Sequence, residues 1–345
     1  MLRGLAVVVA LVALSTPARA APTTTIAPPP PKAWVAVDAD TGAVIEGGDH
    51  RTPMRVASVL KVLTALVVTE HLAPDDEVPV SARAEGMPAR RMQLKQGEVW
   101  RVDHLLHSLL LVSANDAAAA LAERAAGSLE DFGELFVATA VRLGMEDDPV
   151  LRDPAGLDDE FSVEGGNLVS ARDVAIAARA FLAAGELAPI VTLPEYRFVG
   201  GDGEPHRLRN HNRLLTLYPG AIGVKTGYTK RAGHSLIAAA RRDGRTAIAV
   251  VLGAADPYRS AAGLLDRVFA VPPSGQDGLD RLPPVALRPR QEVAAAQPVA
   301  APAARQARPS DGGLPLRDAA LLLVGGAPAA VILVRRRTRV PWPSA

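Results

Sequence analysis

The chain has 345 residues, 48% of them hydrophobic, and a formal net charge of +1, which suits one domain of roughly 240 residues with tails, or two small domains. With no basic block inside the expected domain, nothing offers nucleic acid an electrostatic footprint. Cysteine is absent, which excludes disulfides, thiolate metal sites and a thiol nucleophile.

The N-terminus carries Arg3, an apolar core from Leu5 to Leu14, and Ala18-Arg19-Ala20 ahead of Ala21. This is the pattern of a secretory signal peptide over 1–20, with an apolar stretch too short to span a bilayer. Residues 21–32 include the run Pro28 to Pro31 and read as an extended spacer. Trp34 to Asp38 alternates and is β-branched, Asp40-Thr41-Gly42 is a turn, and Ala43 to Glu46 returns as the second arm of a hairpin.

Val56 to Val68 is apolar nearly all the way round, the mark of a helix that belongs inside a protein, yet it carries Ser58 and Lys61 at i and i+3. Only 5 of the 38 basic residues are Lys, so a Lys here is not the local default. A buried Lys loses its proton readily, which an Arg would not. The pair reads as a nucleophile, Ser58, and its base, Lys61. An S-x-x-K string by itself fits a capping Ser and a Lys snorkelling to solvent equally well.

Val102 to Leu111 and Asp116 to Ala126 form two predicted helices, with Val112-Ser113-Ala114-Asn115 in the joint between them. Leu129 to Leu143 is a further helix closed by Gly144. Asp153-Pro154-Ala155-Gly156-Leu157 is a tight turn, and Ser170 caps a helix from Ala171 to Ala183. From Gly220 the texture changes to strands at Ala221–Thr226, Ser235–Arg241 and Arg245–Leu252, with Asp243-Gly244 as a hairpin turn. An amphipathic helix over Tyr258 to Phe269 follows. Strands at both ends with helices between them imply one α+β domain over 33–271, whose sheet unites its N- and C-terminal segments. Residues 272–313, rich in Pro, Ala, Gln and Arg, are expected to form a disordered linker. Residues 319–334 are uncharged and apolar and run into Arg335-Arg336-Arg337, the arrangement of a stop-transfer helix with 335–345 as a cytoplasmic tail.

Two further motifs carry chemistry. Ser113 and Asn115 would supply a second hydroxyl for relaying protons and an amide for a substrate carbonyl; as isolated residues they are better explained as caps of the helix beginning at Asp116. Lys225-Thr226-Gly227, at the end of a predicted strand, offers a cation, a hydroxyl and an unobstructed backbone to an extended substrate, or is simply a strand running into a turn.

S-x-x-K, S-x-N and K-T-G in this order are jointly specific. From about Trp34 to Phe269 the chain resembles the serine D-alanyl-D-alanine carboxypeptidases, the low-molecular-weight penicillin-binding proteins. The resemblance extends to Asn115-Asp116-Ala117, Leu143-Gly144-Met145, Pro154 with Gly156-Leu157, Ser170-Ala171-Arg172-Asp173, Asn210-His211-Asn212 with Leu214-Leu215, and Gly223 through Thr229 with Ala232-Gly233. Ala114 stands where the family usually has Gly, and Asp153 where it usually has Asn.

The resemblance implies the β-lactamase/penicillin-binding-protein transpeptidase-like fold: an antiparallel sheet from the two ends of the domain and a mostly helical middle. It makes Ser58 the acylated nucleophile, Lys61 its base, and Ser113 with Lys225 the proton route to the leaving amine. Asn115 would hold the substrate amide and Thr226 its carboxylate. The backbone N–H groups of Ser58 and Tyr228, beside Gly227, would form the oxyanion hole, and Arg259 is the candidate for the terminal carboxylate. It implies no metal or other cofactor, peptidoglycan stem peptides as substrate, β-lactam antibiotics as inhibitors, and an enzyme on the outer face of the cytoplasmic membrane, held by its C-terminal helix.

Four rival readings differ in their requirements. A class A-like β-lactamase needs a Glu four residues before an Asn ahead of K-T-G, whereas Glu164 and Asn167 are three apart. A D,D-endopeptidase acting on cross-links shares every motif. A catalytically silent wall scaffold has no need of Ser58 and Lys61. A zinc peptidase is disfavoured because His206, His211 and the other histidines lack metal-ligand spacing.

Overall fold

The computed structural model describes residues 29–290. The signal peptide, most of the spacer, the linker beyond 290, the expected membrane helix (319–334) and the tail (335–345) lie outside the described residues. Among the described residues, no helix is long and apolar enough to cross a membrane.

The chain opens with the hairpin β1 (Ala33–Asp38) and β2 (Val44–Gly48). A short 3-10 turn, Ala57–Leu60, leads into α1 (Lys61–His71). Then come β3 (Glu77–Pro79), the one-turn α2 (Ala82–Glu85), β4 (Val99–Arg101) and α3 (Val102–His107), which loosens into a π-helical turn over Ser108–Val112. The helical middle continues with α4 (Asn115–Ala126), α5 (Leu129–Leu143), α6 (Ala171–Ala183) and α7 (Ala188–Thr192). Strands β5 (Glu195–Val199) and β6 (Pro205–Arg209) and the turn of helix α8 (Leu214–Leu217) precede β7 (Ala221–Thr229), β8 (Gly233–Arg242), β9 (Arg245–Ala254) and α9 (Pro257–Ala270).

The main sheet has the order β2-β1-β9-β8-β7 and is antiparallel throughout, so the first and last segments of the domain do share it, Val35 facing Val250 across β1 and β9. Both faces of its centre are buried, which explains the near-continuous apolar runs of β8 and β9. Alternation sends Ile248, Val250 and Leu252 to the helical side and Ala247, Ala249 and Val251 toward α9. On the helical side α1 and α4 are central: Val62 to Val68 and Ala117 to Ala122 are all buried. The run of alanines lets α4 pack closely on several neighbours at once.

Local signals set the element ends. Ser128 and Ser170 accept hydrogen bonds from the N–H groups of Asp131 and Asp173, three residues on, at 3.0 and 2.9 Å, capping α5 and α6. Gly144, with φ of 78°, closes α5 in the left-handed region. The two-stranded pairs β3-β4 and β5-β6 were not anticipated from the sequence. Nor was the packing of 272–290, and the expectation of a disordered linker is corrected for these residues. Gln276 is fully buried and donates to Asp38 at 2.8 Å, while Leu282 is buried and its N–H donates to the Gly42 carbonyl at 2.8 Å.

Candidate active site

The site forms where the 3-10 turn before α1 meets β7. Ala57 has φ of 57°, a conformation costing an alanine on the order of 1–3 kcal/mol, and this turns Ser58 out of the core at the head of α1. Two glycines permit the neighbouring chain to come this close. A Cβ on Gly156 would lie 2.4 Å from the Ala57 carbonyl oxygen, and one on Gly227 3.0 Å from the backbone nitrogens of both Ser58 and Val59. Gly227 therefore lays the K-T-G stretch of β7 directly on the turn that carries Ser58. K-T-G lies inside the strand, which runs on to Thr229, and not at its end as the sequence implied.

Lys61 is fully buried, so it does not snorkel. Its Nζ stands 3.1 Å from Ser58 Oγ and 2.8 Å from Asn115 Oδ1, and also contacts the Ala155 carbonyl oxygen. Burial pulls its pKa down from 10.5 to about 7, against the opposing charges of Asp153 and Asp116 and with help from Arg90. Ser58 Oγ donates to the same Ala155 carbonyl at 3.3 Å. No side chain caps the 3-10 turn, so Ser58 is not a cap either.

Ser113, in the left-handed region at φ of 63°, ends the π-helical turn and is buried. The N-cap of α4 is Ala114 without a side-chain bond, so neither Ser113 nor Asn115 caps that helix. Asn115 instead spans the site, its Nδ2 donating to the Pro88 carbonyl at 3.1 Å while Oδ1 meets Lys61. Asp116, buried behind it, accepts from the N–H groups of Met92, Gln93 and Leu94 at 2.9, 2.8 and 3.2 Å and so fixes the loop in front of α4.

Lys225 is a second buried lysine, its Nζ donating to the Thr226 carbonyl at 2.9 Å. Burial, then Lys61, then Arg90, hold its pKa well below 10.5. Tyr228 is exposed beside His234, their rings 4.5 Å apart. Arg259 stands apart: exposed in the first turn of α9, it lines a surface cavity with Arg213, His234 and Tyr258, and no hydrogen bond ties it to the Ser58–Lys61 group.

Sequence reasoning missed the part played by the loop after α5. The buried Asp153 carboxylate accepts from the N–H groups of Ala155 and Leu157 at 2.9 Å and Val163 at 3.0 Å, fixing the carbonyl that Ser58 and Lys61 share. Burial pushes the Asp153 pKa upward. The D-P-A-G turn was the only available signal, since any residue can supply a carbonyl. Glu164, the carboxylate a β-lactamase reading would need, is exposed and pairs with Arg152 at 3.4 Å, and Asn167 Oδ1 accepts from the Arg152 and Asp153 N–H groups at 2.7 and 3.0 Å.

A hydroxyl touching a buried, easily deprotonated lysine, with a strand edge laid beside it, is an arrangement that suits a serine hydrolase. Comparison with known proteins narrows the class. The family model for D-alanyl-D-alanine carboxypeptidases (peptidase S11) matches residues 21–256, and the chain belongs to that family of serine peptidases. D-alanyl-D-alanine carboxypeptidase DacF of Bacillus subtilis is 33% identical over 247 residues, which are 69% of this chain and 62% of that protein. DacB2 of Mycobacterium tuberculosis is 32% identical over 255 residues, 72% of this chain and 86% of that protein. The crystal structure of a D-alanyl-D-alanine carboxypeptidase from M. tuberculosis H37Rv superposes with a TM-score of 0.68 at 31% identity, covering 75% of this chain and 99% of that one. The fold is thus the penicillin-binding-protein type, and the family acts at the cell wall, outside the cytoplasm.

Proposed function

We propose that the enzyme removes the terminal D-Ala from peptidoglycan stem peptides ending in D-Ala-D-Ala, through an acyl-enzyme on Ser58, and that β-lactams block it by acylating the same hydroxyl. The observation that carries this reading is the fully buried Lys61, its pKa lowered to about 7, standing 3.1 Å from Ser58 Oγ. A neutral amine there accepts the hydroxyl proton as Ser58 attacks the carbonyl of the penultimate D-Ala.

The remaining roles follow from where charge develops. The N–H groups of Ser58 and Tyr228 donate to the oxyanion, a term worth about 3–4 kcal/mol when one such donor is lost elsewhere. Asn115 accepts and donates to the substrate amide. Ser113 and Lys225 pass the proton to the departing amine. Two close buried lysines resist carrying two charges, so the arriving substrate carboxylate raises the Lys225 pKa and draws a proton to it, while Thr226 donates its hydroxyl to the same carboxylate. Arg259, set apart in the surface cavity it shares with His234, attracts that carboxylate only at long range. Water then attacks the acyl-enzyme, with Lys61 again taking the proton.

The same reading has residues 1–20 exporting the chain, 33–271 acting as the catalytic domain, and 319–334 tethering it to the outer face of the cytoplasmic membrane. The decisive experiment supplies a synthetic peptide ending in D-Ala-D-Ala and measures released D-Ala, with mass spectrometry after penicillin treatment to locate the adduct. D-Ala release and a Ser58 adduct are expected. A folded protein that releases none, or an adduct on another residue, overturns the reading.

A further inference from the structure

A cavity of about 640 Å³ is walled by the loop 89–93, by Val112 next to Ser113, and by residues 206–208 and 211. Its charge is one-sided. Arg90, Arg91, Arg207, His206 and His211 line it, and no Asp or Glu does. Two of these are already partnered: Arg207 pairs with Glu195, and His206 with Asp202 at 3.0 Å. Among the described residues neither Arg90 nor Arg91 forms an ion pair, although the Glu85 carboxylate lies close enough to feel the charge of Arg91. Arg90 donates to His211 Nδ1 at 2.7 Å, and Arg91 reaches only the carbonyls of Glu85 and Met87, at 3.4 and 3.3 Å. His211 stays neutral, its pKa pulled down to about 4 by burial, Arg90 and Lys225, so it can accept from Arg90 and leave the guanidinium charge uncancelled.

This positive wall is built rather than incidental. The loop bearing both arginines is clamped by the buried Asp116, whose carboxylate accepts from three consecutive N–H groups of that loop and makes no direct contact with either guanidinium. The wall is also continuous with the catalytic group. The Asn115 N–H donates to the Arg90 carbonyl at 2.7 Å, and the His211 N–H to the Leu111 carbonyl at 3.0 Å. The backbone of Asn115, the residue proposed to hold the substrate amide, is thus one hydrogen bond away from that of Arg90.

We propose that this cavity is an anion subsite that takes a free carboxylate on the side chain of the residue immediately before D-Ala-D-Ala, with Arg90 as its main contact and Arg91 at the rim. The proposal rests on the carboxypeptidase reading and names the class of stem peptide it prefers. Such a bidentate, charge-assisted contact is geometrically selective for a carboxylate over its amide.

The test uses the full chain and two peptides identical except at that side chain, meso-diaminopimelate with its carboxylate free or amidated. The expected kcat/KM for D-Ala release favours the acid about tenfold or more, the scale of one charge-assisted hydrogen bond. Arg90→Gln should bring the acid-to-amide ratio close to one, and Arg91→Gln should lower it by less. Because the readout is a ratio on one enzyme, a general loss of activity cancels. Both peptides are also run as competitors of fluorescent-penicillin acylation, a readout that needs no hydrolysis. Equal competition by acid and amide, or a ratio that survives Arg90→Gln, overturns the subsite. Unequal competition without D-Ala release keeps the subsite and overturns the carboxypeptidase assignment.

Discussion

The two edges of the main sheet are finished in opposite ways. At the β2 edge the chain closes its own sheet: Ala43 bridges Arg281, the Val44 N–H donates to the Asp280 carbonyl at 2.8 Å, and Leu282 is buried beneath. At the other edge, among the described residues, no further strand follows β7, and its K-T-G stretch lies against the Ser58 turn with Tyr228 exposed. An unpaired edge is a template for any extended chain, which proteins ordinarily blunt. Here one edge is blunted by the chain's own C-terminal strap. On the proposed function the other is kept for a substrate that adds itself as a short strand, in the manner of peptide recognition by sheet augmentation. Residues at the strapped edge should therefore govern stability, and those at β7 and the turn it touches should govern chemistry.

The largest expected effect tests the chemical edge. Lys61→Arg keeps the charge but accepts no proton near neutral pH, so penicillin acylation should fall at least about 10³-fold, as should Lys61→Ala. If Lys61 served only as a cation, Arg would retain most activity. The pH profile gives a second reading. Lys61 is effective only when neutral, and burial has lowered its pKa from 10.5 to about 7. Acylation should therefore rise with pH, reach half its plateau near pH 7, and drop about tenfold per unit well below that. A rate independent of pH between 5 and 8 would remove Lys61 as the base.

Gly227→Ala comes next. Its Cβ would press on the Ser58 and Val59 nitrogens at 3.0 Å, forcing β7 outward and pulling the Tyr228 N–H away from its partner in the oxyanion hole. Acylation should fall about 10²-fold while thermal unfolding shifts little, because the strand keeps its ladder to β8. Stopped-flow acylation beside a melting curve separates the two. A large loss of Tm with normal acylation would reverse the roles of the edges.

What the sequence made legible follows the same division. Elements with strong local signals lie where they were expected: α5 and α6 run between the expected residues, since Ser128, Gly144 and Ser170 punctuate them. Ser58 and Lys61 drew attention as polar side chains in an apolar run, and Lys225 through the K-T-G motif. Strands β3 and β4 are three residues each and pair across a long excursion, so no periodicity announced them. The strap was hidden by its proline-rich composition, since it docks through scattered backbone bonds and single buried side chains such as Gln276 and Leu282, which leave no periodic pattern. The Ala155 carbonyl was invisible for a different reason: its position depends on Asp153 and Gly156 through the backbone, and a backbone oxygen has no sequence signature.

The smallest expected effect on chemistry belongs to the strapped edge, and it completes the contrast. Leu282 is 4% exposed and packs in the helical-side core, far along the chain from Ser58 and joined to it by no hydrogen bond. Leu282→Ala removes buried methyl groups and leaves a void that the strap fills only in part, costing about 2 kcal/mol at the lower end for such truncations. For a domain of this size that corresponds to a fall in Tm of about 4–8 °C. Acylation per folded molecule should stay within about twofold of wild type, because Gly227 continues to hold β7 on the Ser58 turn whatever happens at β2. Calorimetry and burst titration with a chromogenic cephalosporin on the same preparation test both halves. If acylation fell in proportion to stability, the two edges would be one cooperative unit and the separation argued from their hydrogen bonds would fail.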